Sequence, residues 1–187
     1  MKKLLLVAVM VLTSAMTFAQ QKEGTLTIQP KVGLNIASLT DFDDSDPRFG
    51  VVAGAEFMYQ ATDMVGLSFG ALYSMQGAKY DKATTKLDYI NVPILANVYV
   101  APGFAVKLGL QPGFNVNSKA KAKSNSVAVE ADFDAKTVDL SIPIGLSYEF
   151  SNFVIDGRYN WGLTKVAKDS DSKNSVFQIT LGYKLPL

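Results

Sequence analysis

The sequence contains neither histidine nor cysteine among its 187 residues. Without histidine, the chain lacks the commonest metal ligand, the usual general base and every nucleophile that is activated by an imidazole. Without cysteine, it can form no disulfide and no thiolate metal site, and no lipid can be attached to a thiol. We therefore expect no catalytic, cofactor-binding or metal-binding residues, and we expect that the protein is not an enzyme.

An excess of charge of one sign is also missing. The chain has 18 Lys and Arg against 17 Asp and Glu, so that its formal net charge is +1. Proteins that bind nucleic acid need a surplus of basic residues on one face, so we expect no nucleic acid partner. At 48% hydrophobic residues, the chain is too apolar to be disordered and is long enough for one domain.

The first residues predict a secretory signal peptide. A basic start, an apolar stretch and a small-x-small cleavage site follow one another at Lys2 and Lys3, residues 4–12, and Thr17-Phe18-Ala19. The apolar stretch is too short for a transmembrane helix. We predict a cleaved signal peptide over residues 1–19 and one exported domain over residues 20–187.

From residue 26 onward, apolar and polar residues alternate with the period of two that is typical of β-strands. The alternation divides into eight runs, at residues 26–38, 49–59, 65–76, 87–100, 104–117, 138–150, 153–163 and 176–185. In the fourth run Pro93 cannot donate a hydrogen bond to a neighbouring strand, so we expect a break there. The pattern predicts an all-β fold with eight antiparallel strands.

The connections between these runs alternate in length. Short ones lie at 61–63, 101–103 and 151–152, and longer polar ones at 40–47, 77–86, 118–136 and 165–174. Short periplasmic turns and longer extracellular loops are typical of outer-membrane barrels. We predict a monomeric, eight-stranded, up-and-down transmembrane β-barrel in the bacterial outer membrane, with both termini in the periplasm.

The two faces of the strands differ in size as well as polarity, because the apolar face is bulky and the other is mostly small. Small polar residues suit the narrow interior of an eight-stranded barrel, which favours an apolar face in contact with lipid. The alternative is a soluble periplasmic barrel that binds a lipid or another ligand in an apolar cavity. Aromatic residues near both ends of the runs predict two interfacial girdles, formed by Phe57, Tyr59, Phe104, Tyr148, Phe150 and Tyr183 and by Phe49, Tyr73, Phe114, Trp161 and Phe177.

Charged residues interrupt the small polar face in the half of the barrel near the short turns. Buried charges must be paired, so we predict that these residues form an interior ion network that holds the strands in register. The alternative function is a gate or an ion path in a small-solute pore. The predicted network consists of Lys31, Glu56, Lys107, Glu149, Asp156, Arg158 and Lys184.

Two of the longer connections carry clustered charges. Asp41, Asp43, Asp44 and Asp46 crowd the first, but their spacing lacks the glycine of an EF-hand, so we interpret them as a solvated acidic loop. Lys119, Lys121 and Lys123 lie in the third and predict a solvated surface run. The phosphate of lipopolysaccharide is the alternative partner for these lysines.

Four segments, at residues 89–95 (YINVPIL), 110–114 (LQPGF), 156–163 (DGRYNWGL) and 177–183 (FQITLGY), resemble the PorT-type outer-membrane β-barrel domain. That family is similar in architecture to the OmpA transmembrane barrel. The resemblance implies an outer-membrane location and assembly by the barrel-assembly machinery. Such barrels usually end on an aromatic residue, whereas this chain ends Leu185-Pro186-Leu187.

These patterns together predict a non-enzymatic integral outer-membrane barrel with a structural or surface-interaction role, in contact with membrane lipid and lipopolysaccharide. Two further functions stay open: a small-solute pore and a secretion-associated barrel, since founding members of the PorT-type group act in protein secretion.

Overall fold

The computed structural model of the chain describes residues 22–40, 46–80, 83–124, 127–132, 135–167 and 171–187. The predicted signal peptide lies outside these residues, as do Asp41, Asp43 and Asp44 of the acidic loop. In the described part of the chain, no helix is long and apolar enough to span a membrane.

The described residues form a single sheet of 11 strand segments. Strands that follow one another in the barrel wall pair antiparallel, and β1 also pairs with β10, which closes the sheet into a barrel. The segments are β1 (Leu26–Leu39), β2 (Asp46–Gln60), β3 (Val65–Tyr80), β4 (Ala83–Asn91), β5 (Ile94–Ala101), β6 (Phe104–Ser124), β7 (Val127–Asp132), β8 (Val138–Phe150), β9 (Phe153–Lys165), β10 (Lys173–Tyr183) and β11 (Leu185–Pro186).

Three of these segments do not add a strand of their own to the barrel wall. β4 and β5 are two parts of one interrupted strand of the wall, since both lie between β3 and β6. β7 pairs only with the far part of β6, and β11 pairs with the first residues of β1. The described chain is therefore a closed barrel of eight antiparallel strands, and the predicted fold class is confirmed.

The break between β4 and β5 falls at Val92 and Pro93, where the sequence predicts it. The backbone groups at the break keep hydrogen-bond partners on both sides. The Val92 N–H donates to the Pro112 carbonyl at 2.8 Å, and the Gly70 N–H donates to the Pro93 carbonyl at 3.2 Å. The proline interrupts the ladder without opening the wall of the barrel.

The two ends of the barrel differ in the length of their strands. The end with the turns at residues 61–64, 102–103 and 151–152 is here named the turn end, and the opposite end is the loop end. At the loop end, β3 and β4 continue through most of the predicted loop 77–86, and β6 and β7 form a hairpin inside the predicted loop 118–136. Both loop predictions are wrong, because these residues extend the strands of the wall. In residues 119–123 lysine alternates with alanine, which is strand periodicity without bulky apolar residues.

The apolar face of the wall points outward. On β10, Phe177, Ile179, Leu181 and Tyr183 are 40–49% exposed, whereas Gln178 and Thr180 between them are at most 1% exposed. An apolar belt of this extent needs lipid around it. The faces are thus opposite to those of a soluble barrel with an apolar cavity.

Aromatic rings contact one another at the turn end of this belt. Phe150 and Phe153 flank a tight turn and stack with centroids 5.5 Å apart, and Phe153 meets Tyr183 edge-on at 5.1 Å. Tyr148 extends the row, with its ring centroid 6.5 Å from that of Phe150. Such a row is the arrangement expected of an interfacial girdle.

A small apolar cluster fills the lumen at the loop end. The loop-end parts of β1, β3 and β4 supply it together with Val166, which directly follows β9, and Ala135 packs against it from the segment before β8. Its buried members are Leu39, Ala78, Leu87, Tyr89 and Val166. The interior polar residues therefore lie beneath an apolar cap.

Candidate functional site

Five charged residues that contact one another in the lumen come from four strands of the wall, β1, β2, β6 and β9. On each strand they occupy the inward positions of the alternation, so that the outward neighbours are apolar. All of them are at most 4% exposed. The five residues that contact one another are Lys31, Glu56, Lys107, Asp156 and Arg158, here named the lumen cluster.

Arg158 is the residue of the lumen cluster that spans the barrel. Its Nε donates to Asp156 Oδ1 and its Nη2 to Asp156 Oδ2, both at 2.8 Å, which is a bidentate pair within β9. The same Nη2 lies 3.0 Å from Glu56 Oε1 on β2. Because β10 and β1 separate β9 from β2, this contact joins distant strands across the lumen.

Two lysines complete the lumen cluster. Lys31 Nζ donates to Glu56 Oε2 at 2.6 Å and lies 3.5 Å from Asp156 Oδ2. Lys107 Nζ donates to the same Asp156 oxygen at 2.5 Å. Asp156 Oδ2 therefore faces three cationic groups, and the lumen at this level is filled by side chains rather than open to water.

Glu149 and Lys184, which the sequence places in the same network, form a separate pair nearer the turn end. Lys184 Nζ donates to Glu149 Oε2 at 2.5 Å, and the Tyr99 hydroxyl donates to Glu149 Oε1 at 2.8 Å. Among the described residues, no salt bridge connects this pair to the lumen cluster. Alternation predicts the face on which a residue lies, but it does not predict which side chains meet across the lumen.

The sequence prediction did not include Tyr99 or Asp139 in the interior network. Asp139 lies on the luminal face of β8 near the loop end, where it accepts hydrogen bonds from Thr164 Oγ1 at 2.5 Å and Asn174 Nδ2 at 3.2 Å. Both residues lie on the polar side of their predicted runs, so the same alternation contains the signal that would have identified them.

A further ion pair, between Arg48 and Asp88, lies at the loop end. Arg48 Nη1 lies 3.8 Å from Asp88 Oδ1 and donates to the Gln76 carbonyl. The other Asp88 oxygen accepts from the Tyr73 hydroxyl at 3.1 Å. Arg48 sits where the pairing of β2 with β3 is irregular, and a period-two pattern does not predict such an irregularity.

Glycine leaves the space that Arg158 occupies. Gly145 lies directly across from Arg158, and a Cβ atom at position 145 would stand 2.6 Å from the Arg158 Cβ and from the Gly157 carbonyl oxygen. Neither distance is tolerable for carbon. A substitution at position 145 therefore tests how tightly the lumen cluster is packed.

We expect Gly145→Ala to lower the free energy of unfolding by about 1–3 kcal/mol, because the added methyl group displaces Arg158 or the backbone of β9. The matched control is Gly157→Ala on β9, where a Cβ atom meets nothing within 4 Å. That control should change stability by no more than about 0.5 kcal/mol. Urea unfolding in lipid vesicles measures both, and equal effects of the two variants would contradict tight packing around Arg158.

The chemistry available to the lumen cluster is ionic cross-linking. In the described part of the chain, no three Asp, Glu, His or Cys side chains are grouped so as to hold a metal ion.

The profile of the outer membrane protein β-barrel domain matches residues 18–168, which is most of the chain. The chain belongs to this family.

Solved structures of other outer-membrane barrels have the same fold as this chain. Neisserial surface protein A is 18% identical, with a TM-score of 0.56, and the match covers 87% of this chain and 100% of that one. Ail, the attachment invasion locus protein of Yersinia pestis, is also 18% identical, with a TM-score of 0.53 and coverage of 87% and 99%. No curated protein matches the sequence. Family and fold together place the protein in the outer membrane.

Proposed function

We propose that this outer-membrane barrel is not an enzyme and that it anchors a surface-exposed β-sheet with a structural or surface-interaction role. The observation that carries the proposal is the extension of the wall beyond the barrel at the loop end. There β3, β4, β6 and β7 continue as one sheet, and β6 reaches 21 residues. The lumen beneath this sheet is filled by side chains, so the sheet is the part that can meet partners.

A small-solute pore is the second candidate, and the interior of the barrel disfavours it. The apolar cap, the lumen cluster and the Glu149–Lys184 pair occupy three successive levels of the lumen. An eight-stranded barrel has room for side chains and none for an aqueous channel in addition. Discrete conductance steps of the purified protein in planar bilayers would favour the pore instead.

The orientation of the barrel follows from the same comparison of its ends. The longer strands and connections lie at the loop end, so this end faces the cell exterior and both termini lie in the periplasm. Because four of its segments resemble the PorT-type barrel domain, we propose that the chain is a PorT-type, OmpA-like barrel. We also propose that it is a monomer and that the barrel-assembly machinery inserts it into the membrane. Among the residues that the structure describes, no contact favours a role in secretion.

The extension that β3, β4, β6 and β7 form at the loop end is here named the loop-end sheet, and its two faces differ in charge. Lys86, Lys119 and Asp132 stand side by side in one row, and Thr84, Lys121 and Glu130 in the next. The opposite face carries Thr85 and Ala120, and it is the inward face because Ala78, the cross-strand partner of Thr85, is fully buried in the cap. Lys86 and Lys119 therefore lie on the outer side, immediately beyond the apolar belt.

Phosphate groups are the chemistry that such rows would meet at the membrane surface. Phe114 and Val116 on β6 are the last exposed apolar residues before Lys119, which supports a position of Lys86 and Lys119 near the lipid headgroups. In the outer leaflet of a bacterial outer membrane these headgroups belong to lipopolysaccharide. We propose lipopolysaccharide phosphate as the partner of Lys86, Lys119 and Lys121.

Two variants of the hairpin test this partner. In the first, Lys119, Lys121 and Lys123 are replaced by glutamine. In the second, an Asn-Gly turn replaces residues 120–131, because Lys119 and Asp132 are cross-strand partners that a two-residue turn can join. We expect both variants to fold, as shown by heat-modifiable gel mobility, and to retain several-fold less lipopolysaccharide per barrel after purification in mild detergent.

The comparison of the two variants separates charge from shape. Loss of lipopolysaccharide from the shortened variant alone would assign binding to the shape of the hairpin and not to its lysines. Retention at the level of the unmodified protein by both would contradict lipopolysaccharide as the partner of this sheet.

A further inference from the structure

The lumen cluster contains more positive than negative charge. Among the described residues it brings together three cations, Lys31, Lys107 and Arg158, and two carboxylates, Glu56 and Asp156. All five side chains are at most 4% exposed. A buried charge without a counter-charge is strongly unfavourable, so the surplus cation needs a partner.

The other luminal carboxylates do not neutralise this charge. Glu149 is already paired with Lys184. Asp139 lies six residues along β8 from Gly145, the residue opposite Arg158, which corresponds to about 20 Å along a strand. It also has hydrogen-bond donors of its own in Thr164 and Asn174.

Hydrogen-bond donors without partners lie beside the surplus charge. Within the described chain, Arg158 Nη1 is buried and has no acceptor, since Nε and Nη2 make the contacts with the carboxylates. Gln178 lies directly across from Arg158 on β10, is 0% exposed, and has no partner for either amide atom. The Thr180 hydroxyl, two residues further along β10, is also buried without a partner.

We propose that the lumen cluster binds one small monovalent anion, of the chloride class, next to Arg158 Nη1 with Gln178 Nε2 and the Thr180 hydroxyl as further donors. Such an anion accepts hydrogen bonds from N–H and O–H groups and donates none, which matches these donors. It balances the charge of the cluster and removes the penalty of buried donors that lack acceptors. The site is independent of the surface role, because it lies inside the barrel.

Halide replacement in the unmodified protein tests the site directly. Crystals grown in bromide should show an anomalous peak in the lumen beside Arg158 Nη1. In solution, urea unfolding in lipid vesicles is compared in chloride and in gluconate at equal ionic strength. Above the dissociation constant, the ratio of folded to unfolded protein should rise about tenfold for each tenfold rise in chloride, because only the folded barrel holds the anion.

Two lysine variants show whether the surplus charge is the cause. Lys107→Met leaves two cations and two carboxylates in the cluster, so the bromide peak and the dependence on chloride should both disappear. Lys184→Met removes a cation from the separate pair, so both signals should remain.

Several results would overturn the proposal. They are a lumen that holds only water in bromide crystals, bromide bound at exterior lysines alone, and a chloride dependence unchanged by Lys107→Met. Uptake of no halide together with release of a proton on folding would also overturn it, because one lysine of the cluster would then be uncharged. The measurements on the unmodified protein decide the matter even where a variant fails to fold.

Discussion

Asp156→Asn is expected to lower the free energy of unfolding by about 3–5 kcal/mol, the largest effect of a single substitution in the lumen. Asp156 accepts hydrogen bonds from Arg158 and Lys107 and lies 3.5 Å from Lys31. Asparagine has nearly the same shape but no charge, so Glu56 would be the one carboxylate left for the three buried cations of the lumen cluster. Urea unfolding in lipid vesicles measures the change in the free energy of unfolding. The signal is the fluorescence of Trp161, the single tryptophan of the chain.

Arg158→Met is the control for this prediction. It removes the contacts of the guanidinium but leaves Lys31 and Lys107 balanced by Glu56 and Asp156. We therefore expect a smaller loss of stability than for Asp156→Asn. Equal losses in the two variants, or a loss below about 1 kcal/mol for Asp156→Asn, would show that charge balance does not govern the stability of the lumen.

Ile144→Arg is expected to lower the free energy of unfolding by about 2–4 kcal/mol, because it places a charge against the middle of the lipid layer. Ile144 is 47% exposed on the outer face and lies midway along β8. Val138 lies on the same face at the loop-end start of β8 and is 51% exposed. Val138→Arg should therefore change stability by no more than about 1 kcal/mol.

The difference between these two positions tests the location of the lipid layer, and exposure alone cannot produce it because the two residues are similarly exposed. Unfolding in vesicles of defined thickness gives both values. A loss at position 138 as large as the loss at position 144 would contradict a belt whose centre lies near Ile144.

Period-two alternation contains most of the information about the barrel wall. It predicted the faces of Lys31, Glu56 and Arg158 correctly, because inward and outward residues must alternate along a strand that separates two environments. The break at Pro93 followed from the missing N–H of proline. These features depend only on neighbours in sequence, so a single chain suffices to predict them.

Other features depend on pairs that are distant in sequence. The tilt and stagger of the closed barrel bring Arg158 to Glu56 and Lys184 to Glu149. No local sequence pattern encodes this tilt and stagger. The loop-end sheet escaped prediction for a different reason. Its alternating lysine and alanine residues have strand periodicity without the bulky apolar face on which the assignment relied.

The seam between β1 and β10 has a consequence for how the protein reaches its native state. It pairs Lys31 with Gly182, whereas the other pairs in the wall join strands that are close in sequence. Contacts between such distant residues form late, since most of the chain must be ordered first. Until the seam closes, two strand edges carry unpaired N–H and C=O groups, which a lipid interior does not tolerate. The strands therefore cannot enter the bilayer one at a time, and insertion and closure have to be a single concerted event.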